Sequence, residues 1–187
     1  MKIIGGFYET EEVLELVEKS STEDNCTLKV IKISEEAGWV DIPIMINGKE
    51  VSICYSSVMT DSSDLFQFLA DIVELKEPVS LILDNEGSNP MLYAQPTNTD
   101  AIRFLYASDY ALYKSFCNNE IDDWTLSDYK IECDVLIDKK LLLNEFYKIL
   151  LPYIEKYTYN DSDKYGVEFN VDKGKKYLNK IKRYLGK

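Results

Sequence analysis

Hydrophobic and polar residues alternate most clearly between Trp39 and Tyr55. Val40, Ile42, Ile44 and Ile46 occupy every second position, Asn47-Gly48 follows, and Val51, Ile53 and Tyr55 resume the alternation. Asn-Gly is the preferred pair for a type I′ turn, whose two central residues both need positive φ. A two-residue loop sets Ile46 opposite Lys49, Ile44 opposite Val51, Ile42 opposite Ile53 and Val40 opposite Tyr55. Apolar side chains then meet on one sheet face, so turn chemistry and cross-strand pairing specify the same hairpin. Pro43 falls on the other face and has no N–H to donate, which predicts an edge position or an outward-pointing backbone nitrogen.

Other segments follow the same two periods. Thr10 to Lys19 reads as a short helix with Val13, Leu14 and Val17 on one side. Leu28 to Ile33 suggests a strand. Asp61 or Ser62 can cap a helix whose wide apolar face holds Leu65, Phe66, Phe68, Leu69, Ile72 and Val73. Three short strands, Val79–Leu83, Met91–Gln95 and Ala101–Tyr106, are separated by turn-rich segments and predict an antiparallel meander. Residues 107–118 fit strand or helix. Tyr129, Ile131, Cys133, Val135 and Ile137 then alternate with Lys130, Glu132, Asp134 and Leu136, predicting a half-buried strand. Asp138 caps a long helix to about Tyr157, with Pro152 kinking it or starting a new turn. A last helix, Asp172 to Gly186, carries an apolar stripe at Tyr177, Ile181 and Tyr184/Leu185. Its basic stripe is Lys176, Lys180, Arg183 and Lys187.

Runs of strands, rather than alternating β-α units, predict an α+β fold. It is expected as one antiparallel sheet of about six strands, a meander with a hairpin, packed by helices mainly on one face. Residues 1–187 read as a single domain, with 158–187 a basic C-terminal helical appendage.

Composition narrows the chemistry. The 187 residues contain no histidine and carry a formal net charge of −12. Histidine is the usual proton carrier near neutral pH and the commonest metal ligand, so most triad hydrolases and zinc enzymes are disfavoured. From Lys164 onward there are eight basic and two acidic residues, leaving the remainder at −18. That body repels nucleic acid and attracts a basic partner. No apolar run approaches the roughly 20 residues needed to span a bilayer, and the acidic N-terminal stretch is unlike a signal peptide. A cytoplasmic protein is expected, with no nucleic-acid or membrane partner and its oligomeric state open. Cys26, Cys54, Cys117 and Cys133 lack the paired spacing of zinc knuckles and read as free thiols in a reducing compartment.

Candidate sites are few. Glu132 and Asp134, two apart on one strand, could act as acid and base or hold a hard cation, although solvated strand carboxylates are far commoner. Asp161, Asp163, Gly166 and Asp172 approach a calcium loop, but Tyr165 and Glu168 break its rule. Gly5-Gly6 matches no phosphate-binding fingerprint and reads as a flexible turn. The basic stripe of the last helix could meet an anionic surface, pack on the acidic body, or be solvated. No catalytic residue, metal or cofactor is implied.

The hairpin from Trp39, the Asp61-to-Leu75 helix, the turn Leu83-Asp84-Asn85-Glu86-Gly87 and the strand 101–106 together resemble small bacterial domains of the toxin-immunity type. The resemblance covers about residues 38–106 and is one of layout. It implies a protein-binding role and a cytoplasmic address, and it carries over no functional residue. The chain is therefore expected to be a non-enzymatic protein-binding module, in one form an immunity-type inhibitor of a basic toxin. The alternatives are an enzyme built on carboxylates and an acidic nucleic-acid mimic. The expected contact surface joins Asp122, Asp123 and Trp124 to the acidic turn at Asp84 and Glu86, because an aromatic anchor beside charge is the composition of an interface hot spot.

Overall fold

A computed structural model describes residues 1–5, 10–24, 26–86, 89–109, 129–156 and 169–187. The hairpin forms in the expected register. Strand β4 (Trp39–Ile46) pairs with β5 (Lys49–Ser56), with Val40 opposite Tyr55, Ile42 opposite Ile53 and Ile44 opposite Val51. Asn47 and Gly48 both have positive φ, at 50° and 80°. The inward-facing side chains of this hairpin are almost fully buried.

The hairpin belongs to a sheet of its own. On the other side of β4 lie two short strands, β2 (Leu28–Val30) against Ile44–Ile46 and β3 (Ser34–Glu36) against Trp39–Asp41. Strand β4 is thus internal, which excludes the first of the two positions expected from Pro43, the sheet edge. Proline is tolerated because its neighbour is interrupted there. Ile31, just beyond the end of β2, donates its N–H to the Pro43 carbonyl at 2.9 Å, and the return bond that Pro43 cannot make falls in the interval between β2 and β3, where the ladder is already broken.

The meander builds a second sheet in the order β1-β6-β7-β8-β9, comprising β1 (Lys2–Ile4), β6 (Val79–Ile82), β7 (Met91–Pro96), β8 (Ala101–Asp109) and β9 (Tyr129–Asp138). The expectation of one sheet of about six strands is corrected to two sheets, of four and five strands. The larger is mixed, because β1 runs parallel to β6. Gly5, after β1, has φ +68°, and a Cβ there would lie 2.5 Å from the Ile82 carbonyl oxygen. The glycine is needed for this close approach, since a side chain would collide with the backbone.

Both sheets bury one face in a single apolar cluster, which also takes in α2 (Ser63–Val73), α3 (Lys139–Lys156) and α4 (Val171–Leu185). Asp138 accepts the Leu141 N–H at 2.7 Å, as its capping role requires, and α3 runs on through Pro152 to Lys156. Asp61 Oδ1 accepts the Ser63 N–H at 2.8 Å at the start of α2, while the Ser62 side chain makes no capping bond. Helix α4, expected as an appendage, buries Leu178 and Ile181 in the shared core. Gly174 allows the close contact: an added Cβ would lie 3.0 Å from Ile154 and 3.2 Å from the Phe169 ring.

Helix α1 (Thr10–Glu18) lies on the opposite face of the larger sheet, where Val13, Leu16 and Val17 cover Ile82, Met91, Tyr93, Leu105 and Ala107. Leu14, expected on the buried side, is exposed and Leu16 takes its place. A buried ion pair fixes the end of this helix. Arg103 Nε and Nη2 reach the two Asp134 oxygens at 2.9 and 2.6 Å. Arg103 Nη2 also lies 2.8 Å from the Val17 carbonyl and 2.7 Å from Ser20 Oγ, and Ser20 donates to Asp134. A cation thus closes the C-terminal end of α1, where orphan carbonyls and the helix dipole favour positive charge.

Burial alone would raise the Asp134 carboxyl, but hydrogen bonds from Arg103 and Ser20 outweigh it and hold the group below the ordinary aspartate range. This stabilisation is present above the unfolded aspartate pKa, near ~3.9. It is lost as pH falls through the lower folded value. Replacing Arg103 by Met leaves a buried carboxylate unpaired and should destabilise the fold by about 3–5 kcal/mol. Urea midpoints at neutral pH check this, and the gap between wild type and Asp134→Asn should shrink on acidification.

Candidate functional site

The end of β5 is polar in a way its interior is not. Ser56, Ser57, Thr60, Ser62 and Ser63 are all buried, a dense set of hydroxyls that must find hydrogen bonds. Ser56 donates its N–H to the Asp84 carbonyl at 2.8 Å and its hydroxyl to Glu86 Oε1 at 3.0 Å. Thr60 Oγ1 accepts the Asp84 N–H at 2.8 Å. Asp84 Oδ1 in turn accepts the Glu86 N–H at 2.8 Å, and Glu86 takes a positive φ of 51°. The Asp84–Glu86 turn after β6 is therefore stitched to the end of β5, joining the two sheets at one end. The Asn85 side-chain oxygen is buried there without a partner among the described residues.

The same segment folds back onto the β3–β4 turn. Ser57 donates its N–H to the Gly38 carbonyl at 2.8 Å, and its hydroxyl lies 2.8 Å from Glu35 Oε1. Thr60 N–H bonds the Ser56 carbonyl at 2.9 Å, closing a tight reversal. The hydroxyl residues on either side turn inward, so the intervening Val58 and Met59 point out. They are 46 % and 59 % exposed. Trp39, directly opposite Ser56, is 38 % exposed. These are three of the five exposed large hydrophobic residues among those described. Gly38 brings them together, since a Cβ added to it would lie 3.0 Å from Val58. Carboxylates rim the group: Glu36 and Glu86 are exposed, and Glu35 is held by Ser57 and by the Tyr153 hydroxyl at 2.8 Å.

The structure thus brings Asp84 and Glu86 to an apolar anchor, and that anchor is Trp39 with Val58 and Met59. Asp122, Asp123 and Trp124 lie outside the described residues. The sequence does carry a signal for Trp39. It sits out of phase with Val40, Ile42, Ile44 and Ile46, so the same alternation that buries them turns it outward.

The carboxylate pair dissolves. Register shifts between Tyr106, opposite Cys133, and Ala107, opposite Ile131, which leaves Glu132 as the extra residue of a bulge. The phase of β9 therefore changes midway. Cys133, Val135 and Ile137 enter the shared core, whereas Tyr129 and Ile131 join the cluster under α1. Glu132 meets the Ser108 hydroxyl at 2.8 Å, Lys130 at 2.8 Å and Lys49 at 3.7 Å. Asp134 turns to Arg103 and Ser20. Burial works to raise the Glu132 carboxyl, yet bonds from Lys130 and Ser108 leave it below its ordinary value. Each carboxylate is neutralised separately, and the two share no site.

Other candidates resolve similarly. Burial pushes the Cys133 thiol up to about 12, the behaviour of an inert packing residue. Cys26 and Cys54 are half-buried free thiols also raised by burial, and Cys117 lies outside the described residues. Of the calcium-loop candidates, Asp172 is exposed in the first turn of α4, while Asp161, Asp163 and Gly166 are not described. No group of three or more potential metal-ligating side chains forms among the described residues. A separate cleft of about 460 Å³ is lined by Asp24, Cys26, Ala101, Leu136, Ile137 and Asp138, where Asp138 is committed to capping α3. No helix among the described residues is long and apolar enough to cross a membrane.

The chain matches no known family model, no curated protein and no solved structure.

One residue at the site works against its own preference. Ala37 precedes Gly38 in the β3–β4 turn with φ 51°, a conformation that crowds Cβ against the backbone. Ala37→Gly should therefore stabilise the protein by about 1 kcal/mol, in contrast to the usual destabilising effect of glycine. Thermal unfolding of the two proteins checks the sign.

Proposed function

We propose that this chain is a non-enzymatic protein-binding module that holds a basic partner at the end of the two sheets. The observation that carries the reading is the convergence of exposed Trp39, Val58 and Met59 beside the acidic turn at Asp84 and Glu86. A large aromatic group with aliphatic neighbours supplies the apolar centre of an interface, and surrounding carboxylates supply its polar rim. The net charge of −12 adds long-range attraction for a cationic surface. In the form suggested by the layout resemblance, the partner is a basic toxin and the module inhibits it by occupying its surface. That Glu132 and Asp134 are held by different partners favours this reading over an enzyme built on that pair.

Trp39→Ala should weaken the complex by more than about 2 kcal/mol, the loss expected of a central aromatic anchor. The ring is 38 % exposed, so the variant should lose some stability from the covered part of the ring yet still fold, which circular dichroism and urea unfolding check. The check compares proteins retained from the native cell extract by immobilised wild-type and Trp39→Ala chains. A basic protein held by the first and lost by the second supports the reading. Equal retention by both places the contact elsewhere. Glu86→Lys should mainly slow association, with an effect that fades as salt rises.

A further inference from the structure

The basic residues of α4 divide into two sets. Lys173 reaches Asp64 at 2.9 Å and Asp61 at 3.6 Å, Lys180 reaches Glu74 at 3.0 Å, and Lys187 bonds Asn144 and lies 4.7 Å from the Tyr147 ring centre. These hold the helix to α2 and α3. Lys175, Lys176, Lys182 and Arg183 are exposed, and no ion pair to a described residue involves them. Their spacing places them on one outer face, spread over about 12 Å of helix at ~1.5 Å per residue, with exposed Asp172 at its N-terminal edge as the one acidic residue among them. Like charges so arranged repel one another. Among the described residues the body's ion pairs with α4 are made by the inner set, which leaves the outer set exposed for another molecule.

We infer that a second copy of this chain is that molecule: the outer face of α4 from one copy docks on the acidic, apolar end of the next. The inference rests on the reading of that end as a docking surface for basic groups. Charge complementarity selects the occupant, since among the described residues each chain presents a cationic face on α4 and an acidic end that, unlike the exposed glutamates of α1, surrounds an exposed tryptophan, Trp39. An indole ring is also the best cation–π partner for a lysine or arginine that reaches it, such as Lys182 or Arg183. Two different patches meet, so the contact is heterologous, and growth is head-to-tail unless a ring closes. Self-association then covers the docking end and competes with a basic partner for it, so the free surface is set by chain concentration and salt.

The test is sedimentation of the full chain. Larger species should form at about 0.01 M salt and dissolve at about 1 M, where screening is short-ranged. The pair Lys182→Glu/Arg183→Glu, or Lys175→Glu/Lys176→Glu as a second choice, should weaken association roughly tenfold or more, as should Trp39→Ala. All these positions are exposed, and circular dichroism confirms that each variant folds. The decisive arm mixes a helix variant with Trp39→Ala. Each lacks a different half of the contact, so the mixture should form a one-to-one dimer that neither forms alone. A wild-type chain that stays monomeric at low salt overturns the inference, as does association that survives in both helix variants, or a mixture that fails to pair. Retention of a basic partner by the helix variants keeps the proposed function standing even then, because their Trp39 end is intact.

Discussion

The apolar face of the β4–β5 hairpin cannot remain in water, and the rest of the fold is arranged around covering it. Val40, Ile42, Ile44, Ile53 and Tyr55 form a continuous patch with almost no exposure. A two-layer arrangement with one helix would leave much of it wet. Here a second sheet supplies Leu81, Leu92, Phe104, Tyr106 and Val135, while Leu65, Phe68, Phe146 and Leu150 come from α2 and α3. One core thus serves two sheets and three helices. Its loss of water-exposed area is the dominant favourable term for folding, and the sheets' relative placement follows from it.

Joining two sheets at a common core leaves backbone groups at their ends that neither ladder satisfies. Ser56, Thr60 and the Asp84 backbone meet this need by bonding across the seam. Hydroxyls are suited to the role because each can both donate and accept. The consequence is steric. A reversal tight enough for the Thr60 N–H to reach the Ser56 carbonyl has no room to turn Val58 and Met59 inward. The exposed apolar group therefore arises from how the sheets are stitched together. A chain selected only for stability could place polar residues at 58 and 59 without disturbing the hydrogen bonds of the seam, which is why their apolar character bears on function.

The readable parts of the sequence were those with two agreeing local signals. In the hairpin, Asn47-Gly48 and the alternation on either side fix register together. Asp138 and the apolar spacing behind it fix the start of α3 in the same way. Features that depend on distant chain were illegible. Strand β1 has three residues and a parallel partner more than seventy positions away, so neither length nor turn chemistry marks it. The division into two sheets is likewise a matter of non-local pairing. In β9, alternation from Tyr129 to Ile137 is unbroken in the sequence, yet the bulge at Glu132 reverses its phase. Apolar residues are present on both sides of the break because both faces of that sheet are covered, one by α1 and one by the shared core. The charges at Lys130, Glu132 and Asp134 keep the alternation going across the break, so the sequence reads as one wet face where the structure has a bulge and two covered faces.

Charge follows the same logic of burial. Where an ionised group is enclosed, it is paired closely: Arg103 with Asp134 beneath α1, and Glu132 with Lys130 and Ser108 at the bulge. Exposed charge is mixed over much of the surface, as where Lys19 meets Glu15 and Lys76 precedes Glu77, but it is sorted at two places, with carboxylates around Trp39 and cations on the outer face of α4. Enclosed pairs fix geometry, since removing one member leaves the other without compensation. Exposed pairs contribute little to stability, so nothing in the fold requires the outer charges to be sorted by sign. Sorting them does create fields of opposite sign at two places on one molecule, and fields of that kind act on association. The segregation is therefore informative about what the surface meets, whereas the buried pairs are informative about how the surface is held.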